Sequence, residues 1–142
     1  MSQLTQAATL LDAIKQDCID AWGLTNATVE FDLVRLPQTA TTYAVVELLN
    51  VPMDFQGATS IEQTYNFRIT ARFPFPSTGN IMLAKITKAN LLIAQMITGS
   101  RYGSVAYLPI IREVAFEEED KPQAKVYEFS LLFECKVSQD HH

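Results

Sequence analysis

The chain has 142 residues, 48% hydrophobic and 19% charged, with a formal net charge of −5. That length supports one domain with a single core, and the composition excludes a disordered chain. No apolar stretch approaches the roughly 18 residues of a membrane span. The opening MSQLTQAATLLDAIKQD lacks a basic region followed by an apolar run, so no secretory signal and a cytoplasm-like site of synthesis are expected.

Residues 4–22 predict an amphipathic helix, because Leu4, Ala7, Ala8, Leu11, Ile14, Cys18, Ala21 and Trp22 repeat at helical spacing and Gly23 follows as a stop. TVEFDLVRL (28–36) and YAVVELLNV (43–51) predict two strands, the second apolar on both faces as a covered strand would be. PMDFQGATS (52–60) reads as a loop on its Pro, Asp and Gly, and places Met53 and Phe55 either tucked inward or against a partner. IEQTYNFRITARF (61–73) alternates strictly, with Ile61, Gln63, Tyr65, Phe67, Ile69, Ala71 and Phe73 on one face and Arg68 and Arg72 on the other.

A second helix is predicted over 80–98, with Asn80 as N-cap and Gly99 beyond its end. Met82, Ile86, Ala89, Ile93, Met96 and Ile97 form its best stripe. Leu83, Leu91, Leu92 and Ala94 widen it beyond what one sheet covers, which implies thorough burial or a second contact. AYLPIIREVAFEE (106–118) and KVYEFSLLFECKV (125–137) predict a closing hairpin. The expected fold is α+β, in the order α-β-β-β-α-β-β. A mostly antiparallel sheet of about five strands carries two helices on one face. It is one domain over 1–142, ordered over about 4–137, with a frayed tail at 138–142.

The residues offer no catalytic constellation. His141 and His142, the two histidines, end the chain, and no metal-ligand, nucleophile or phosphate-loop motif occurs. TGSRYGS (98–104) follows a helix end rather than opening one, so it reads as a cap and turn and not an anion cradle. Cys18 and Cys135 fall on apolar faces and, with no export signal, are expected to be buried thiols. No enzyme activity, cofactor or metal is expected. The acidic run Glu117, Glu118, Glu119 and Asp120 lacks the alternating oxygens and glycine turn of a hard-cation loop, and reads as a hairpin tip or a contact for a basic partner.

Charge placement is the unusual feature. No acidic residue occurs from Gln63 to Ile111, a block that carries Arg68, Arg72, Lys85, Lys88 and Arg101, while the flanking segments are strongly acidic. Three readings follow. Opposite charges meet across strands within one subunit; a basic patch binds nucleic acid, which the negative net charge and dilute spacing disfavour; or the basic surface of one copy meets the acidic surface of the next, closing a ring or propagating a filament. The residues to watch for contacts between copies are Arg68, Arg72, Lys85 and Lys88.

The layout, with its YNFRITARF strand, MLAKITKANLLIAQMI helix and YLPIIREVAFEEEDKPQAKVYEFSLLFECKV finish, resembles the tail terminator (tail completion) proteins of long-tailed bacteriophages over residues 4–137. The resemblance implies a virion structural protein at the head–tail junction. Six copies would form a ring on the last ring of the tail tube. The ring would meet the head-side neck or connector protein and, in a contractile tail, the sheath. DNA would pass through the hole without specific binding, and an acidic lumen would suit that passage. Related neck and connector (stopper-type) proteins share the layout and remain the alternative. The family supplies no catalytic or contact residue to transfer.

Overall fold

The computed structural model describes residues 6–31, 41–56, 60–76, 80–99, 102–103, 106–116 and 125–140, with 55, 56, 60, 139 and 140 described by backbone alone. In chain order the elements are α1 (Ala7–Trp22), a 3-10 turn (Asn26–Thr28), β1 (Val29–Glu30), β2 (Tyr43–Asn50), β3 (Met53–Gln56), β4 (Ser60–Pro74), α2 (Ile81–Met96), β5 (Ile110–Phe116) and β6 (Val126–Asp140). The architecture is α+β, with a six-stranded mixed sheet in the order β1-β2-β4-β6-β5 and β3 also paired to β4.

The sheet is built on one long ribbon. β4 and β6 pair antiparallel in unbroken register from Ser60↔Asp140 to Pro74↔Val126. At about 3.4 Å per residue the ribbon is roughly 50 Å long, about twice the length of either 16-residue helix. The period-2 pattern of β4 is realised without a slip: every odd residue from Ile61 to Phe73 is buried and every even one from Glu62 to Arg72 is partly exposed.

Along one edge of β4, β2 covers Asn66–Arg72 and β3 covers Ser60–Gln63. A register shift at Leu48–Asn50 separates the two, after which β3 keeps the shifted register. They therefore act as one edge strand interrupted at Val51–Pro52. The Pro52 carbonyl accepts from the Thr64 N–H at 3.0 Å, and proline's missing donor costs nothing at an edge. The expected loop at 52–60 is thus a strand over Met53–Gln56, because edge pairing to β4 outweighs the turn-forming composition. β1 is shorter than expected and pairs parallel to β2 through Val29↔Ala44 and Glu30↔Val45, which makes the sheet mixed; residues 32–36 of that expected strand lie outside the described residues. The tail expected to fray continues β6 as far as Asp140, paired to Ser60–Glu62, while His141 and His142 lie outside the described residues.

Both helices pack on the odd face of β4. Leu10, Ile14, Cys18 and Trp22, four apart along α1, meet Ala89, Leu92 and Met96 of α2 over Tyr65, Phe67, Ile69 and Phe73 of β4 and Phe129, Leu131, Phe133 and Cys135 of β6. α1 ends at Gly23, whose φ of 65° lets its N–H return to the Ile19 carbonyl. Trp22 locks the two helices to the sheet. Its ring stands edge-on to Phe73 at 5.2 Å and Phe129 at 5.9 Å, and its Nε1 donates to the Lys88 carbonyl of α2 at 2.8 Å. Cys18 and Cys135 are buried free thiols, as their placement on apolar faces implied.

The Phe67 and Phe133 rings stack at 5.4 Å across directly opposed positions of the ribbon. Phe67→Ala is expected to lower unfolding free energy by about 3–5 kcal/mol in urea titrations, the range for emptying a fully buried aromatic site.

Candidate functional site

The outer face of the sheet carries a ladder of ion pairs. Arg68 of β4 sits opposite Glu47 of β2 and donates from Nε and Nη2 to its two carboxylate oxygens, both at 3.2 Å. Arg72 sits opposite Glu128 of β6, with Nε to Oε1 at 2.8 Å, and its guanidinium lies over the Tyr43 ring of β2 at 4.8 Å. Arg112, at the register shift in β5, pairs with Glu134 of β6, and Lys136 approaches Glu62 at 4.0 Å. The Asn66 Nδ2 donates a hydrogen bond to the Asn50 Oδ1 at 2.7 Å between opposed strands. Of the three readings of the charge pattern, the described residues display the first: opposite charges meeting across strands within one subunit.

The residues expected to meet a neighbouring copy are placed separately. Arg68 and Arg72 hold the in-chain pairs just described. Lys85 faces inward from α2 and is only 2% exposed. Lys88 lies with its ammonium 4.6 Å from the Phe73 ring centre. Met53 opens β3 with its side chain in solvent, and Phe55 pairs through its backbone with Ile61. Glu117, Glu118, Glu119 and Asp120 lie outside the described residues. No group of three or more His, Cys, Asp or Glu side chains that could hold a metal occurs among the described residues. No helix among them is long and apolar enough to cross a membrane.

A different surface emerges on α2. The Asn80 side chain accepts from the Met82 and Leu83 N–H groups at 2.8 and 3.4 Å and starts the helix as its sequence position implied. The buried face, however, is Lys85, Ala89, Leu92 and Met96. Met82, Ile86 and Ile97 of the expected stripe are exposed, as are Leu83 and Leu91. At 100° per residue the helix is rolled about a sixth of a turn away from its apolar direction. The core takes one edge of the apolar arc, Ile93 is half-buried beside it, and Met82, Ile86 and Ile97 stay exposed. Lys88 points the other way, toward β4 and Trp22. Met82, Ile86 and Ile97 therefore lie on the side of α2 turned away from Lys88. At the N-terminal end of α2, Phe73, Phe75, Pro76, Leu83, Lys88 and Tyr127 line an open groove of about 450 Å³.

The segment after α2 is clasped to α1. Tyr102 and Ala106 exchange backbone hydrogen bonds of 2.8 and 3.0 Å around Gly103, whose φ is 59°. The Tyr102 hydroxyl donates to the Asp17 carboxylate. Burial pushes the Asp17 carboxyl up from 3.8 to about 6, with Asp20 adding to the rise and the Tyr102 bond opposing it. Nothing in the sequence spacing of Asp17 and Tyr102 announces this pair.

No protein-family model matches the chain, and no curated protein matches it. Among solved structures, a chain of the virion of a native gene transfer agent particle superposes with a TM-score of 0.65 at 14% identity, over 96% of this chain and 99% of that one. The sheath/tube terminator of an extracellular contractile injection system, PVC, in its extended state, superposes with a TM-score of 0.55 at 11% identity, over 100% of this chain and 58% of that one. This chain therefore spans just over half the length of that terminator. At such identities the likeness is one of fold: the chain shares its fold with a virion component and with a sheath/tube terminator.

Two predictions follow from the ladder and the clasp. Arg72 and Glu128 are largely buried, with side chains 13% and 18% exposed, whereas Arg68 and Glu47 are far more open. Arg72→Ala should therefore cost about 2–3 kcal/mol in urea titrations by stranding Glu128, and Arg68→Ala less than about 1. For Asp17, the folded state holds the proton more tightly than the unfolded chain. Its contribution to stability is thus greatest below pH 3.8 and is lost as pH rises through about 6. The stability of Asp17→Asn relative to the parent should rise across that window, and thermal melts at stepped pH measure it.

Proposed function

We propose that this protein is a structural component of a tailed, virus-like particle: a terminator whose copies form a ring, six by the family resemblance, on the end of the tail tube and join it to the head-side neck. The observation that carries the proposal is the fold match over essentially the whole chain to a virion component and to a sheath/tube terminator. The exposed apolar arc of α2 supports it, because contiguous apolar surface of this kind marks contact with another protein. The chain acts by binding, without catalysis or a cofactor. One side of the ring covers the tube end that the next tube ring would otherwise occupy, which stops growth. The other side presents a new surface to the neck, and a sheath would meet it in a contractile tail. DNA passes through the hole, held by no sequence-reading contact.

Polymerising tube protein with and without this chain tests the reading. Capped tubes should show added density at one end in negative stain and should stop lengthening. A chain that stays monomeric at rising concentration and also fails to bind tube ends overturns it. Binding to the neck protein but not to tube ends would instead favour a connector role. DNA affinity falling steeply with salt would favour a nucleic-acid-binding module.

A further inference from the structure

The groove at the N-terminal end of α2 combines an apolar floor with positive charge. Phe73 and Tyr127, both buried, form the floor with ring centres 5.9 Å apart. Leu83 stands on the rim and, at 62% exposed, is the most open large apolar side chain among the described residues. The Lys88 ammonium lies over the Phe73 ring at 4.6 Å. Lys125 stands at the groove's end: its φ is 56°, its carbonyl accepts from the Phe75 N–H at 2.8 Å, and its side chain is exposed.

The sign of the charge is uniform there. Among the described residues, no acidic residue lines the groove, and the first turn of α2 carries none. On the outer face of the sheet Arg68, Arg72, Arg112 and Lys136 each hold a carboxylate. Lys88 and Lys125 hold none among the described residues; nor does Lys15, which lies elsewhere, over the Phe31 ring. Shape narrows the ligand further. Small molecules bury most of their surface in the sites that hold them, and this groove is open along its length. It suits an extended chain that sinks one side chain and leaves its backbone in water. The stacked floor is fixed by core packing before anything arrives, so little ordering cost falls on the groove itself.

We propose that this groove docks a short acidic segment of a partner protein. The segment lays an aromatic or aliphatic side chain between Leu83 and the Phe73–Tyr127 floor and sets carboxylates against Lys88, with Lys125 at the groove's end adding to the attraction. The inference goes beyond the ring reading and stands without it.

Trp22 supplies the readout, because it is the chain's one tryptophan, meets Phe73 edge-on at 5.2 Å and bonds the Lys88 carbonyl. The probes are acetyl-Ala-Phe-Glu-Asp-Glu-Ala-amide and its uncharged counterpart with Gln and Asn for the acids, each titrated into the full chain at low salt. The acidic peptide should shift Trp22 emission saturably, with a Kd of about 1 mM or below, and should bind less tightly as salt is added. The uncharged peptide should bind at least about fivefold more weakly. Lys88→Gln and Lys125→Gln should each weaken the acidic peptide about two- to fivefold, the range of a partly exposed ion pair. Leu83→Ser should weaken both peptides. Circular dichroism checks the fold of each variant, and the exposed positions Leu83 and Lys125 carry the test should Lys88→Gln fail to fold. No saturable shift with the parent, equal binding of the two peptides, or a shift that the folded variants leave unchanged overturns the proposal. A shift seen only when Glu117→Gln, Glu118→Gln, Glu119→Gln and Asp120→Asn are combined assigns the groove to this chain's own acidic run and also overturns it.

Discussion

The unbroken antiparallel pairing of β4 with β6 is the constraint on which the rest of the molecule depends, since β2, β3, β5 and both helices are positioned by one of its edges or its faces, and β1 joins through β2. Its odd face supplies the aromatic bed for both helices. Its even face fixes which charges stand opposite each other. Its two free edges receive β2 and β3 on one side and β5 on the other. A one-residue slip would carry Phe67 and Phe133 to the wet face and the arginines into the core at once, so the register is held by burial on one side and by ion pairs on the other.

That division explains how charge is used. Arg68 and Arg72 lie in a stretch free of acidic residues, yet each finds a carboxylate one strand away: Glu47 on β2 and Glu128 on β6. The sequence blocks look polarised because strands distant in sequence are neighbours in the sheet. Such pairs contribute little where exposed and more where desolvated, so the ladder's chief effect is to specify partners and discourage misregistered pairing. Alongside these pairs, α2 leaves Met82, Ile86 and Ile97 exposed.

Much of this was legible in the sequence, for identifiable reasons. β4 could be read because its alternation is strict, and α1 because Ile14, Cys18 and Trp22 repeat at helical spacing and Gly23 ends it, although the core takes Leu10, which the expected stripe omitted, and leaves Ala8 exposed. Asn80 announced the start of α2. β3 was hidden by Pro52 and Asp54, residues that form turns in isolation but are tolerated at an edge beside β4. Ser138–Asp140 looked like a polar tail, although register carries it along β4. The roll of α2 could not be read: the helix is apolar around most of its circumference, so its moment is weak, and packing buried Lys85 while leaving Ile86 outside. The ion pairs and the Asp17–Tyr102 clasp depend on tertiary placement, which local pattern does not encode.

The mismatch between the apolar arc of α2 and the part of it the core uses has a consequence for the life of the free chain. A free chain that displays Met82, Ile86 and Ile97 carries surface open to indiscriminate apolar association. Such association grows with concentration, so chains released quickly meet one another more often than chains released slowly. Sensitivity to expression level is thus set in part by the rotation of a single helix about its own axis.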